Sequence, residues 1–167
     1  MENSRNDDVI LYANEYAGFS RNIDKNCTWI LDSGATQHMC NDKNFFSNLE
    51  EIEGTSLVEI GDGTPLVAQG RGDIILHMYL PNDNSRNVTL INVLYLPDLK
   101  HNLVSVSQCN ANSKKTVCYE NSCSIFSKDN DLIACGKRSG KLYILDCAMS
   151  NLGSAQAAMR KPVSATL

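Results

Sequence analysis

The chain has 167 residues, of which 43% are hydrophobic and 20% charged, a composition ordinary for one globular domain. Its formal net charge of −4 and the absence of a basic stripe exclude a nucleic-acid-binding surface. No apolar run is long enough for a membrane-spanning helix, and the polar residues 1–8 do not resemble a signal peptide. We therefore expect an intracellular, cytoplasmic protein without membrane contact, whose seven irregularly spaced cysteines are free thiols.

The first predicted elements lead to an aspartate. Residues 1–26 form a predicted N-terminal segment with a candidate short strand at residues 9–13. A buried strand follows at residues 27–32 and ends at Asp32. Desolvating a carboxylate is costly unless it is paired or hydrogen-bonded, and a rigidly held carboxylate suits acid–base chemistry on a bound substrate. Residues 42–49 predict a weak helical turn.

From residue 54 onward the hydrophobic period changes to two, which is typical of strands. Residues 57–70 predict a hairpin, because glycines flank the turn between two alternating segments. Further strands are predicted at residues 73–80 and 88–96. Residues 102–108 begin a short apolar run, for which we expect a helix.

The character of the chain shifts after Cys109. Four short apolar segments, separated by polar turns, predict a small β-meander over residues 110–147, and residues 148–167 read as a disordered tail. Many short strands with turn signals every 8–12 residues favour an all-β barrel or sandwich. We expect the main barrel domain to span residues 27–109.

The order of these elements resembles the retroviral-type aspartic protease. The local sequence is more similar still to the Pol polyprotein of copia-type LTR retrotransposons. Together the matching segments span about residues 27–145. They are residues 29–40 (WILDSGATQHMC), 60–63 (IGDG), 92–108 (NVLYLPDLKHNLVSVSQ) and 133–145 (IACGKRSGKLYIL).

The resemblance implies an all-β, retropepsin-like closed barrel that forms one lobe of a homodimeric aspartic endopeptidase. One Asp-Ser-Gly triplet in each chain supplies one catalytic carboxylate, so two copies of Asp32 must meet across a two-fold axis. Ser33 would hydrogen-bond across this axis, and Gly34 would donate its backbone N–H to the carboxylate. The segment at residues 103–105 would pack behind this loop.

The resemblance also implies how substrate is held. The hairpin would close over peptide segments of a Gag-Pol polyprotein without any cofactor or metal. The implied substrate-binding residues are Ala35, Ile60, Gly61, Asp62 and Gly63. Ser105 stands where the retroviral pattern has glycine, although serine fits the copia type. Since the zinc modules and integrase of the polyprotein are missing, we expect a fragment, a degenerate copy or a domesticated remnant.

Other interpretations stay open beside this one. The chain could be a catalytically inactive β-barrel that serves as a dimerisation or structural module. His38 and Cys40 could bind a metal together with Cys27, or with Cys118 and Cys123, but their spacings fit no standard zinc pattern. A nucleophilic Cys27 or Cys40 would need a partner such as His77 or His101, for which no motif exists.

Overall fold

The computed structural model describes residues 27–61, 63–150, 166 and 167. Residues 9–13, Asp62 and most of the predicted tail lie outside this part of the chain. The described residues are mostly strands, which confirms the all-β class. The elements are β1 (Trp29–Asp32), β2 (Met39–Cys40), a 3-10 turn (Lys43–Phe45), β3 (Phe46–Glu59), β4 (Pro65–Tyr79), β5 (Ser85–Tyr95), β6 (Asn102–Ser105), α1 (Val106–Ala111), β7 (Lys115–Tyr119), β8 (Ser122–Phe126), β9 (Leu132–Ser139), β10 (Leu142–Leu145) and β11 (Cys147–Met149).

The described strands form one sheet. Its order is β11-β4-β5-β2-β6-β1-β10-β9-β8-β7, and β3 pairs with β4 in addition. This hydrogen-bonded path has two ends, so the closed barrel that the resemblance implies is not confirmed. The chain nevertheless connects the middle of the sheet with one of its ends. Strand β10 lies beside β1, β11 is the end strand beside β4, and only Asp146 separates β10 from β11. The Asp146 N–H donates to the Cys135 carbonyl, and its carbonyl accepts from the Tyr79 N–H.

Strand β1 lies between two neighbours. It pairs in parallel with β6, with Asp32 opposite Ser105, and antiparallel with β10, with Leu31 opposite Tyr143. A strand that is hydrogen-bonded on both edges is held rigidly. The same pairing makes the meander strands continuous with the sheet that carries Asp32.

The apolar side chains form two clusters. The larger one surrounds Trp29, which is fully buried, and the smaller one lies under the β3–β4 hairpin around Leu96 and Ala68. Ile60 and Leu66, on either side of the hairpin turn, are partly buried and pack against this smaller cluster. The end of the hairpin is therefore supported by the core. No helix among the described residues has the length and apolar character needed to cross a membrane.

The helical turn predicted at residues 42–49 is wrong over most of its length. Asp42 does begin a turn, since its Oδ1 accepts the Asn44 N–H at 2.9 Å. The turn is a single 3-10 turn and β3 begins at Phe46, which pairs with Ile74. The extended pairing with β4 satisfies the backbone of residues that the sequence pattern alone placed in a helix.

Strand β4 unites the two strands predicted at residues 66–70 and 73–80. The register with β5 shifts between Gly72 and Ile74, where two residues of β5, Ile91 and Asn92, stand opposite Asp73, and the Asp73 N–H donates to Asn48 Oδ1 at 2.7 Å. Gly72 allows the close approach of β3, because a Cβ atom there would overlap the Asn48 carbonyl oxygen. Glycines occupy two successive positions on the inner face of β4, 70 and 72, which explains why the apolar alternation appeared broken.

Candidate active site

The predicted catalytic carboxylate belongs to Asp32, the last residue of β1. Its Oδ1 accepts the Gly34 N–H at 2.7 Å, as the resemblance implied. Asp32 is half-buried, whereas Ser33 and Gly34 are exposed and Ala35 is buried. Burying a carboxylate without a partner is costly. Here the Gly34 N–H donates a hydrogen bond to it and water reaches part of it, so Asp32 can stand at the end of a buried strand.

The loop after Asp32 is fixed from behind by Ser105. The Ser105 hydroxyl donates to the Ala35 carbonyl at 2.6 Å and accepts the Gln108 N–H at 3.1 Å, which caps helix α1. The Gln108 side chain donates to the Thr36 carbonyl at 2.8 Å. These bonds join the loop to β6 and α1. The sequence placed residues 103–105 behind the loop but did not reveal the serine's double role, although a serine before a helix is a known capping signal.

His38 belongs to the same network. It is buried, and its Nδ1 accepts the Ser105 N–H at 3.0 Å. Burial lowers the pKa of His38 to about 4, against the opposing effect of a backbone hydrogen bond with Leu167. The ring is therefore neutral at physiological pH, with its proton on Nε2 because Nδ1 acts as an acceptor. It supports the loop as an acceptor.

The hairpin turn and Asp32 line the same cleft. Residues 60–64, which we call the flap turn, are closed by hydrogen bonds from the Gly63 N–H to the Ile60 carbonyl (2.7 Å) and from the Ile60 N–H to the Thr64 carbonyl (3.3 Å). The cleft has a volume of about 720 Å³, and its lining includes Asp32, Ser33, Ile60 and Gly61. Four of the predicted site residues thus meet in one cavity.

The remaining predicted site residues are placed differently. Gly34, Ala35 and Gly63 do not line the cleft. Ala35 is buried, with its carbonyl bonded to Ser105, and Asp62 lies outside the described residues.

Two further segments line the cleft and were not predicted as site residues. One is residues 98–101, between β5 and β6, and the other is residues 141–143, at the start of β10. Both fall within stretches that carry the resemblance, but no residue pattern in them indicated a cavity. Only the pairing of β10 with β1 brings the second segment beside Asp32.

The cysteine and histidine alternatives find little support in the described part of the chain. No group of three or more His, Cys, Asp or Glu residues there could hold a metal ion. Burial raises the pKa of Cys40 to about 12, so this thiol is protonated at neutral pH and is a poor nucleophile. His77 contacts Asn87 through its Nδ1 at 2.9 Å, and His101 lies in the cleft.

Comparison with known proteins agrees with this architecture. The family model described as "Pol polyprotein, beta-barrel domain" matches residues 29–114, half of the chain. The chain belongs to this family. The match begins with β1 and ends just before β7, so it includes Asp32, the flap turn and Ser105 but not β10.

The Pol β-barrel domain has curated relatives in plants and yeast. It is 38% identical over 85 residues to the retrovirus-related Pol polyproteins from transposons RE1 and RE2 of Arabidopsis thaliana. It is 34% identical over 83 residues to the putative transposon Ty5-1 protein of Saccharomyces cerevisiae. These matches cover about half of the chain, 6% of each plant polyprotein and 49% of the yeast protein. No solved structure matches the chain. The retrotransposon Pol resemblance is confirmed.

Proposed function

We propose that this Pol β-barrel domain is half of an aspartic endopeptidase, active as a homodimer, that cleaves peptide segments of a Gag-Pol polyprotein. The observation that carries the proposal is the position of Asp32. Asp32 lines a cleft that residues of the flap turn also line, and the carboxylate is supported by Gly34 and, through the loop, by Ser105. An extended peptide in this cleft would contact the carboxylate with its backbone.

The proposed chemistry needs two carboxylates, and the homodimer supplies them. Two copies of Asp32 in contact share one proton, because both cannot easily be ionised at short distance. The ionised carboxylate takes a proton from water while the water oxygen attacks the peptide carbonyl carbon. The protonated carboxylate gives its proton to the carbonyl oxygen, and collapse of the resulting diol releases the amine after its nitrogen is protonated.

The exposure of the Asp-Ser-Gly loop supports the dimer. Ser33 and Gly34 are exposed at the surface of the single chain, although Asp32 beside them is held firmly. Small residues at an exposed turn allow a second copy to approach closely, as a shared two-fold site requires. The isologous contact would bury this loop against its own copy.

The direct test is cleavage of a peptide library at pH 4–6 by the full chain and by its Asp32→Asn variant. We expect wild-type cleavage and a loss of at least about 100-fold in the variant, since the isosteric amide cannot act as a base. Asp129→Asn is the matched control, because Asp129 is an exposed carboxylate in the turn after β8, away from the cleft. Its activity should equal that of the wild type.

Three results would contradict the proposal. Full activity in Asp32→Asn would exclude this carboxylate. A dimer that binds peptides but cleaves none would favour the non-catalytic module instead. The cleft also contains Asp98, so a monomer that loses its activity in Asp98→Asn would replace the dimer with a pair of carboxylates in one chain.

A further inference from the structure

Strand β10 contributes an unusual residue to the cleft. Leu142 is 47% exposed and is one of five large hydrophobic residues exposed in the described part of the chain. It lines the same cavity as Asp32. An isolated exposed leucine on a surface needs no explanation, but one that stands in a cleft beside a carboxylate offers apolar contact to whatever enters the cleft.

The strand register brings Leu142 close to Asp32. Strand β10 pairs with β1 through Ile144 opposite Ile30 and Tyr143 opposite Leu31. One further step along both strands brings Leu142 opposite Asp32. Because directly opposite residues on neighbouring strands project their side chains to the same face, Leu142 and Asp32 then share a face of the sheet.

The rest of the cleft is also lined by apolar side chains. Ile60 and Leu66 reach it from the hairpin, and Leu99 and Leu103 from the segment before and within β6. The charged lining residues other than Asp32 are Asp98, Lys100 and Lys141, which carry both signs. Selection by size and apolar character is therefore favoured over selection by charge.

We propose that Leu142 is a specificity-determining residue, which forms the wall of the subsite that takes an apolar side chain of the peptide next to the cleaved bond. This inference rests on the proposed endopeptidase function and names part of its substrate class. Strand β10 lies outside the residues that match the family, so the structure assigns this wall to the meander rather than to the matched domain. The meander then has a role in selecting the substrate.

The test makes the side chain at position 142 smaller in one variant and larger in another. In Leu142→Ala, kcat/KM for peptides with leucine at the subsite should fall about ten-fold, while peptides with tryptophan should lose less or gain. In Leu142→Trp the preference should shift toward alanine. The control is Tyr119→Ala, because Tyr119 is 38% exposed on β7, outside the hairpin, and does not line the cleft. Its selection profile should match that of the wild type.

A binding measurement tests the Leu142 subsite independently of the proposed endopeptidase activity. The Asp32→Asn chain, with and without each Leu142 change, is used to select peptides from the same library without cleavage. Opposite shifts in the selected side chain support the subsite even if the wild-type chain cleaves nothing. Unchanged profiles in an active enzyme would overturn the subsite and leave the endopeptidase standing. A change in the dimer dissociation constant with unchanged profiles would place Leu142 in the dimer contact and also overturn it.

Discussion

At the scale of single residues, the site depends on small hydrogen-bonding groups that hold Asp32 and its loop. The carboxylate is recognisable from the sequence, because an apolar run that ends in Asp-Ser-Gly is unusual. Its support is not, because Ser105 and His38 act over a separation of about 70 residues. Spacing along the chain carries no signal for contacts that arise only when β1 and β6 pair.

The lowered pKa of His38 predicts how the stability of the fold depends on pH. Its pKa is about 4 in the folded chain and 6.5 in the unfolded reference, so the fold favours the neutral ring. Above pH 6.5 both states are neutral. Between pH 6.5 and 4 the unfolded chain takes up a proton that the folded chain does not, so the free energy of unfolding falls by up to about 3 kcal/mol.

Urea denaturation at pH 7 and pH 5 measures this effect. His38→Gln should show a smaller loss of stability between the two pH values than the wild type, because glutamine does not titrate. His77→Gln is the control, since His77 lies on β4 in contact with Asn87, away from Ser105. Equal losses in the wild type and in His38→Gln would show that this histidine does not set the pH dependence.

At the scale of elements, alternation predicted most strands but not their ends. The hairpin at residues 57–70 was predicted as a short unit, whereas β3 and β4 extend it to residues 46–79. The two elements that were misread both contain a local feature that hides the pattern, the Asp42 turn in one and the glycines at positions 70 and 72 in β4. A glycine at an inward-facing position lacks the apolar side chain on which the alternation pattern, and so the prediction, relied.

A substitution at Gly72 tests how closely β3 and β4 approach each other in this hairpin. In Gly72→Ala the new methyl group would overlap the Asn48 carbonyl oxygen, so β3 must separate from β4 there. We expect a loss of about 3 kcal/mol in the free energy of unfolding, measured by urea denaturation. Gly61→Ala is the matched control, because a Cβ at Gly61 meets no atom within 4 Å, and its change should stay below about 1 kcal/mol. Similar stabilities for the two variants would contradict the close approach of the strands.

At the scale of the whole molecule, the meander forms part of the sheet around the site. The sequence predicted strands near β7 to β10 but treated them as an extension, because nothing in residues 110–147 indicates that β10 pairs with β1. It also assigned residues 148 and 149 to a disordered tail, whereas they belong to β11 and pair with β4. The all-β class and the relation to retrotransposon Pol polyproteins could be read from the chain. The order of strands in the sheet could not, because strand order depends on pairings between distant segments.

The central claim is that each chain carries half of an active site, and a mixing experiment tests it most directly. The Asp32→Asn chain is added to a fixed amount of wild-type chain under conditions that allow subunits to exchange, and peptide cleavage is measured. With equal amounts of the two chains, random pairing leaves about half of the wild-type chains in active homodimers, so cleavage should fall to about half. Asp129→Asn chains added in the same way should increase cleavage. Cleavage that does not change when Asp32→Asn is added would contradict the shared site.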